Sequence, residues 1–379
     1  MLGVPRELAG HDDEEYLGFL RGMMLYITSK RAKLEHINTI DDAASLLKTR
    51  SKILVITGAG ISTSLGIPDF RSKDTGFYAK LKEMGMVEPE EVFDIFNFDY
   101  DPQTFYSLAG DILPAGKAYT PTHAFIRALQ DQRRLQTNYT QNIDNLEGLA
   151  GIAPDRLIQC HGSFATASCR KCKHQVPGDT IFASIRAKTV ATCGECERKI
   201  AAGEPLVNAA SSAKASGARK KSPKFHYDDD DSDSSDAEDD DDDVPTAGVM
   251  KPDITFFGED LPNTFFSRFN SLDCGAADLV VVIGTSMQVA PVAKMPDKPA
   301  QAGREDVPCI YIGREPCNHI EFDVQLIGDC DAVVWELARR AGWELRHEMI
   351  PDGGLELEVS EMEGERKGRW TVTRKGAGV

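Results

Sequence analysis

The chain has no apolar stretch long enough to be a membrane-spanning helix. No run in its 379 residues approaches the roughly 20 apolar residues that such a helix needs. The most apolar stretch near the start, residues 16–27, carries Arg21 and lacks the basic segment that precedes the apolar core of a signal peptide. We therefore expect an intracellular protein that does not bind membranes.

The cysteines lack the pattern of a disulfide framework. Four of the nine form two C-x-x-C pairs, Cys169/Cys172 and Cys193/Cys196, and an intracellular chain keeps such thiols reduced. Each pair can present two thiolates to one ion, and two pairs complete the tetrahedral shell of Zn²⁺ with bonds of about 2.3 Å. Because protein would fill all four positions, we predict structural zinc; unligated thiols are the alternative.

The glycine turn after residues 53–57 lacks the spacing of the familiar phosphate loops. Gly58 and Gly60 are followed by Gly66, which fits neither G-x-G-x-x-G nor G-x-x-x-x-G-K-[ST]. No strand ending in Asp or Glu follows about 20 residues later, so a dehydrogenase is disfavoured. The segment is either a tight turn without a ligand or, with a helix near residues 60–66, a pyrophosphate site at free amide groups.

The net charge of −17 is concentrated in one segment. Residues 228–243 hold twelve acids and no base, so the rest of the chain carries about −5. Charge repulsion and the lack of apolar side chains predict disorder for residues 201–246, a basic and then acidic insert. A solvated linker is the simplest interpretation. The alternatives are a nuclear-import patch at residues 219–221, a surface for basic partners and phosphorylation of the serines among the acids. Direct nucleic-acid binding is not expected, because this charge repels phosphates.

Short β-rich runs alternate with amphipathic stretches, which predicts an α/β fold with a Rossmann-like, doubly wound parallel sheet. The predicted strands are 53–57, 135–140, 157–160, 279–283, 308–312 and 323–327. Two interruptions, a helical insertion at 74–121 and a small zinc-binding module at 165–200, are expected to build a second domain. The tail beyond residue 351 carries the pattern of a hairpin.

Small, polar and titratable residues follow the predicted strands, which lead into GAGIS, QNID, HGS, GTS, GRE and GDCD. The carboxyl ends of strands in an open sheet converge on one crevice, so six such ends imply a ligand as large as a dinucleotide. His161 lies at one of them, and imidazole exchanges protons near neutral pH. Asn142 and Asp144 would orient a carboxamide or water, or merely cap a helix. His123 is interpreted as structural.

The motifs GAGISTSLGIPDFR, TQNIDNLE, HGSF, KPDITFFGE and GTSMQVAPV, together with the cysteine pairs, occur in the order found in sirtuins, the NAD-dependent protein lysine deacylases. The chain is most similar to nuclear class I members of the silent information regulator type. The resemblance implies three parts: an N-terminal helical extension (1–34), a catalytic domain (35–345) with its Rossmann core at about 35–73, 122–164 and 248–345, and a C-terminal tail (346–379).

The resemblance implies transfer of an acetyl group from lysine to ADP-ribose, with release of nicotinamide and O-acetyl-ADP-ribose. His161 would be the general base, assisted by Asn142 and Asp144. NAD would contact Gly58, Ala59, Gly60, Ile61, Ser62, Asp69, Phe70, Arg71, Gln141, Asn142, Ile143, Asp144, Gly284, Thr285, Ser286, Gly313, Arg314, Glu315 and Cys330. The acyl-lysine peptide would add as a strand at Thr255, Phe256, Phe257, Gly258, Glu259 and Val289. One structural zinc would bind Cys169, Cys172, Cys193 and Cys196.

Two departures limit what the resemblance implies: the residue at position 313, and the acidic insert, which is not a family motif and to which nothing carries over. The family often has Asn where this chain has Gly313, so we expect one adenosine-ribose hydrogen bond to be lost and NAD affinity to be lowered. No Tyr-x-x-Arg pair follows Arg71, which favours neutral acyl groups, acetyl first.

The expected substrates are acetyl-lysine proteins such as histone tails, with chromatin-associated partners. The expected location is the nucleus, with the cytoplasm as the alternative. The competing functions are an NAD-binding chromatin scaffold and an ADP-ribosyltransferase with weak deacetylation.

Overall fold

The computed structural model describes residues 13–28, 30–69, 76–113, 118–206, 246–364 and 366–376. These residues fall into two compact units. Unit 1 holds those within Met1–Phe96, Asp111–Phe164 and Ile254–Val379, and unit 2 those within Asn97–Gly110 and Ala165–Asp253. Within the described ranges, no helix combines the length and apolarity needed to cross a bilayer.

The strands have the following bounds: β1 (Ile53–Thr57), β2 (Leu135–Thr140), β3 (Leu157–Gln159), β4 (Gly162–Cys169), β5 (Gln175–Pro177), β6 (Met250–Ile254), β7 (Leu279–Ile283), β8 (Cys309–Gly313), β9 (Val324–Gly328), β10 (Leu357–Glu361) and β11 (Arg369–Arg374). The helices are α1 (Asp13–Thr28), α2 (Ile40–Thr49), α3 (Phe77–Glu83), α4 (Ile95–Tyr100), α5 (Pro102–Leu108), α6 (Pro121–Asp131), α7 (Leu146–Leu149), α8 (Phe182–Arg186), α9 (Gly194–Ala201), α10 (Asn263–Arg268), α11 (Cys274–Ala276), α12 (Lys298–Gln301) and α13 (Cys330–Ala341).

Eight strands form one sheet in the order β10-β11-β9-β8-β7-β1-β2-β3. All neighbours are parallel except the β10/β11 hairpin. The six predicted strands and the parallel α/β sheet are therefore confirmed. From the β1/β7 pair the strand order runs outward in both directions, which makes the carboxyl ends of these two strands the topological switch point where open sheets bind ligands.

The tail forms the predicted hairpin, and it also extends the main sheet. β10 pairs antiparallel with β11, and β11 then pairs in parallel with β9. The sequence pattern predicted the hairpin because alternation and turn residues are local. The pairing with β9 is a tertiary contact that no local pattern reports.

Alternating side chains of β1 pack into cores on the two faces of the sheet, as the two-residue period of a strand requires. Ile53 and Val55 join the cluster that contains Leu47 of α2, together with residues of α6 and α13. Leu54 and Ile56 join the opposite cluster, where the aromatic rings of β2 and α10 lie. All five residues of β1 are buried, so the strand ends from which the polar turns leave are held rigidly.

Unit 2 contains a three-stranded sheet of order β5-β4-β6. Phe98, Phe105 and Tyr106 form an aromatic cluster with ring centroids 5.6–6.5 Å apart. The buried hydroxyl of Tyr106 donates a 2.6 Å hydrogen bond to the carbonyl oxygen of Met250 at the start of β6.

A buried ion pair in unit 1 joins the segment before α2 to β8 and β9. The guanidinium of Arg31 lies 2.7 Å from Asp323, and both side chains are almost completely inaccessible to solvent. The same carboxylate accepts hydrogen bonds from the backbone N–H groups of Leu34 (2.6 Å) and Cys309 (2.7 Å). Asp323 is therefore fully hydrogen-bonded, and its removal would leave an unpaired buried cation.

We expect Asp323→Ala to lower the free energy of unfolding by about 3–5 kcal/mol, because it leaves the buried charge of Arg31 without its ion-pair partner. Glu344→Ala is the control, since the Glu344–Arg346 pair is exposed and should contribute less than about 1 kcal/mol. Urea unfolding of the two variants measures the difference. Equal losses would show that burial does not decide the importance of these pairs.

Candidate active site

Two glycine turns touch at the carboxyl ends of β1 and β7. The N–H of Gly60 donates to the carbonyl oxygen of Gly284 over 2.8 Å. A Cβ on Gly60 would lie 2.8 Å from the Gly284 backbone, and a Cβ on Gly284 would lie 2.7 Å from the amide nitrogen of Ile61. Gly284 also has φ +65°, in the left-handed region that favours glycine. Only glycines allow this contact, which forms the floor of the crevice.

The helix considered for residues 60–66 is absent from the structure. Two 3₁₀ turns, Ala59–Ile61 and Thr63–Leu65, replace it, and Gly66 with φ +79° ends them. The amide groups of the first turn mostly bond to carbonyls of the same segment or of the β7 turn, so they do not form the row of free donors that a helix start offers. The described residues offer no partner to the amide of Ala59.

Ser62, Asn142 and Asp144 form a buried polar group beside this floor. The hydroxyl of Ser62 donates to Asp144 over 2.7 Å, and the side-chain amide of Asn142 lies 3.4 Å from the Ser62 oxygen. Asp144 also accepts from the N–H of Leu146 at the start of α7 (3.1 Å). The N-cap residue of α7 is Asn145, whose side chain makes no capping hydrogen bond, so the Asp144 contact lies one residue before the cap. The part of Asp144 in binding a ligand stays a prediction. Burial raises the pKa of Asp144.

Glu147 is a site residue that the sequence analysis missed. It is 0% exposed, and neither of its carboxylate oxygens has a hydrogen-bond partner in the described part of the chain. Its carboxylate, that of Asp144 and a ring nitrogen of His123 lie within 4.8 Å of one another. The Asp-x-x-Glu spacing was visible in QNIDNLE, but a helical glutamate is ordinarily exposed, and nothing local signals its burial.

Burial also fixes the protonation of this group. It raises the pKa of Glu147 to about 8, and the adjacent Asp144 charge acts in the same direction. Burial lowers the pKa of His123 to about 3, so its ring is neutral. The backbone N–H of Thr120 donates to its Nδ1 (3.2 Å) within a helix-capping arrangement, in agreement with a structural histidine.

His161 is placed with a defined tautomer. Its Nδ1 lies 3.0 Å from the carbonyl oxygen of Gln141, which can only accept, so Nδ1 carries the proton and Nε2 the lone pair of the neutral ring. The Gln141 side chain donates to the hydroxyl of Thr285 (2.9 Å), and the N–H of Thr255 donates to the His161 carbonyl (2.8 Å). Three strand ends are thus connected around the imidazole.

The end of β8 is tied to the β1 turn. The guanidinium of Arg314 donates to the hydroxyl of Thr63 over 3.0 Å. At the start of α13, Cys330 is buried, and burial raises the pKa of its thiol to about 12. The next residue, Asp331, accepts from the hydroxyl of Ser64 (2.7 Å), a contact that the sequence did not suggest.

Most donors of the predicted peptide-binding segment are engaged within the protein. The N–H and C=O of Phe257 pair with the 93–95 segment at 2.6 and 3.0 Å, and the N–H of Phe256 donates to the Glu259 carboxylate (2.9 Å). Gly258, with φ +86°, keeps an amide to which the described residues offer no partner. The carbonyl oxygen of Val289 accepts from Ala293 (2.9 Å).

Some predicted positions stand apart from these contacts. Asp69 is half-buried, and its carbonyl accepts from the N–H of Phe77 (2.7 Å). Phe70 and Arg71 lie outside the described residues, as do residues 207–245 of the predicted insert.

The four predicted zinc ligands converge in unit 2. Sγ–Sγ distances are 3.7 Å for Cys169/Cys196 and 3.6 Å for Cys172/Cys193. A tetrahedron with Zn–S bonds of about 2.3 Å has sulfur separations of about 3.8 Å, so the cluster fits a structural zinc. Gly248 packs against it, because a Cβ there would lie 2.4 Å from the sulfur of Cys169.

A doubly wound sheet with glycine turns at its switch point, joined to a four-cysteine module, defines a nucleotide-binding α/β protein with a structural metal site. The model of the Sir2 family matches residues 58–291. The chain belongs to this family, which confirms the resemblance found in the sequence.

Named relatives agree with this assignment. The chain is 44% identical over 343 residues to the NAD-dependent histone deacetylase sir2 of Schizosaccharomyces pombe, which covers 90% of this chain and 68% of that protein. It is 42% identical to the NAD-dependent protein deacetylase HST1 of Saccharomyces cerevisiae (86% and 60% covered) and 40% identical to the NAD-dependent protein deacetylase sirtuin-1 of Rattus norvegicus (83% and 48% covered). The chain thus spans 48 to 68% of the length of these relatives.

We expect Cys172→Ser to lose the bound zinc, because three sulfurs cannot close the tetrahedral shell. Elemental analysis of the purified chain should give one zinc in the wild type and close to none in the variant. Cys274→Ser, which changes a partly exposed thiol outside the cluster, should keep the metal. Zinc retained by the Cys172 variant, or missing from the wild type, would refute the site.

We expect Glu147→Gln to change how stability depends on pH. The native state holds the Glu147 proton up to about pH 8, whereas the unfolded chain loses it near its ordinary pKa of 4.5. The free energy of unfolding of the wild type therefore falls as the pH rises from 4.5 to about 8. The variant has no carboxyl group at position 147 and does not show this fall.

Thermal midpoints at pH 5, 6.5 and 8 measure this effect, and the difference between variant and wild type should grow toward pH 8. His123, whose lowered pKa makes stability rise with pH from about 3 to 6.5, is present in both proteins. The exposed change Glu344→Gln is the control. Parallel pH curves for wild type and Glu147→Gln would contradict the expectation.

Proposed function

We propose that the chain is an NAD-dependent protein lysine deacetylase that transfers the acetyl group to ADP-ribose. The observation that carries the proposal is the placement of His161, whose Nε2 lone pair is set by the Gln141 carbonyl (3.0 Å) at the edge of the glycine-lined switch point. Its relatives are named as NAD-dependent histone or protein deacetylases, which supports the same activity.

NAD would lie across the switch point. The pyrophosphate would lie beside Ala59, Thr285 and Ser286, at the two turns whose close contact only glycine at positions 60 and 284 allows. The nicotinamide carboxamide would meet the buried amide of Asn142 and carboxylate of Asp144, with Ile61, Asp69, Phe70 and Ile143 completing its pocket. The adenosine would lie near residues 313–315 and Cys330.

The chemistry would begin with attack of the acetyl oxygen on the ribose C1′ as nicotinamide leaves. His161 would then take a proton from a ribose hydroxyl through Nε2, and that hydroxyl would attack the imidate carbon. Addition of water and departure of the lysine amine with a proton would leave the acetyl ester on ADP-ribose. The Gln141 carbonyl that fixes the tautomer also stabilises the imidazolium that forms. The cysteine module has four sulfurs and no open position, so its zinc would be structural.

The substrate would be an acetyl-lysine peptide paired with residues 255–259 on one side and Val289 on the other. The Gly258 amide supports this placement as a donor for the added strand. Basic segments such as histone tails suit a chain whose net charge stays negative, at about −5, even without residues 228–243. With such substrates the protein would act in the nucleus, together with chromatin-associated partners.

The test incubates the full chain with NAD and an acetyl-lysine histone-tail peptide and measures nicotinamide and O-acetyl-ADP-ribose by mass spectrometry. We expect both products from the wild type, and a loss of roughly 10²-fold or more in His161→Ala because the general base is gone. His36→Ala, which changes an exposed histidine in the segment before α2, should keep full activity.

Two results would overturn the proposal. No product from the wild type would favour an NAD-binding scaffold. Nicotinamide release that needs no acetyl peptide would favour an ADP-ribosyltransferase.

A further inference from the structure

We propose that the hydroxyl of Tyr311 is a nucleotide-binding group that serves the adenosine ribose in place of a side chain at position 313. The proposal rests on the proposed function, because it assigns Tyr311 to the adenosine end of the NAD crevice. It adds to that site a residue from inside β8 that none of the sequence motifs contained.

The geometry of β8 brings the Tyr311 hydroxyl to the strand end. Residues 311 and 313 are two apart on a strand and therefore face the same side of the sheet. A Cβ on Gly313 would lie 2.6 Å from the Tyr311 hydroxyl oxygen and 2.9 Å from its Cζ. The phenol thus fills the space that a side chain at position 313 would need, and glycine is required there.

The Tyr311 ring is held in place while its hydroxyl lacks a partner. The residue is 4% exposed, and its ring packs against Phe322 with centroids 5.1 Å apart. Among the described residues, none forms a hydrogen bond with the hydroxyl. A ligand that offers a partner to this hydroxyl would gain a hydrogen bond by binding.

The surroundings point to a sugar hydroxyl as that partner. A phenol donates one hydrogen bond and accepts others, which matches the hydroxyl groups of a ribose. Burial raises the pKa of Tyr311, so it stays a neutral donor at physiological pH. Tyr311 lies in β8 two residues before Gly313, at the strand end where the adenosine is proposed to lie. The hydrogen bond expected to be lost at Gly313 is thereby replaced.

The test is NAD binding to the full chain by isothermal titration calorimetry, without an acetyl peptide. Tyr311→Phe removes only the oxygen, and we expect the Kd to rise roughly fivefold to tenfold, the effect of one neutral hydrogen bond. The affinity for ADP-ribose, which contains the adenosine, should fall by the same factor, whereas the affinity for nicotinamide should not change. In turnover assays the KM for NAD should rise while kcat at saturating NAD stays constant.

Tyr139→Phe is the matched control. Its hydroxyl is also buried but donates to Asp273 in the core (2.8 Å), so the change should lower stability and leave the NAD affinity unaltered. A rescue variant adds an independent readout. Gly313→Asn alone should weaken NAD binding by displacing the phenol, and combining it with Tyr311→Val should restore the affinity by returning the hydrogen bond to position 313.

The outcomes separate the two proposals. If the wild type and Tyr311→Phe bind NAD with the same affinity, the role proposed for Tyr311 is wrong, but the proposed function is not affected. Wild-type chain that binds no NAD would overturn the proposed function itself. A lower affinity of Tyr311→Phe for both ADP-ribose and nicotinamide would also refute the assignment, because it would show a general disturbance of the crevice.

Discussion

The direct contact between the backbones of Gly60 and Gly284 is the constraint on which the site depends. It sets the distance between the turns that follow β1 and β7, and a single methyl group at either position would separate them. Two side-chain contacts lie beside this floor. Ser62 in the β1 turn donates to Asp144 after β2, and Gln141 after β2 donates to Thr285 after β7. A ligand-binding crevice is thus built from the absence of side chains as much as from their presence.

The polar groups around this floor divide into two environments. His161 has its tautomer fixed by a carbonyl, whereas Asp144 and Glu147 are buried behind the β2 turn, where the ionised form is disfavoured. In the proposed reaction the imidazole of His161 would carry the proton transfer, while the two buried carboxyl groups would lie beside it.

The sequence predicted what is local and missed what depends on tertiary contacts. The six parallel strands followed from apolar runs, and the four zinc ligands from C-x-x-C spacing, because both patterns are confined to short segments. Glu147 was missed because its role comes from burial. Tyr311 was missed because its role comes from the lack of a side chain at Gly313. Sequence spacing reports neither. The helix near residues 60–66 was wrong for a similar reason: contact with the β7 turn favours 3₁₀ geometry. The pairing of β11 with β9 likewise required the folded sheet.

The central position of β1 has a consequence for how the chain is made. Lys52, just before β1, bonds to Asp278, just before β7, across 226 positions of sequence. A growing chain can form the β1-β2-β3 half of the sheet early, but the other edge of β1 remains unpaired until β7 leaves the ribosome. Such long-range parallel pairing is slow, and the open edge of a mostly apolar strand invites association with other chains. The feature that gives the finished protein its ligand crevice is therefore also the point at which its synthesis is most exposed to aggregation.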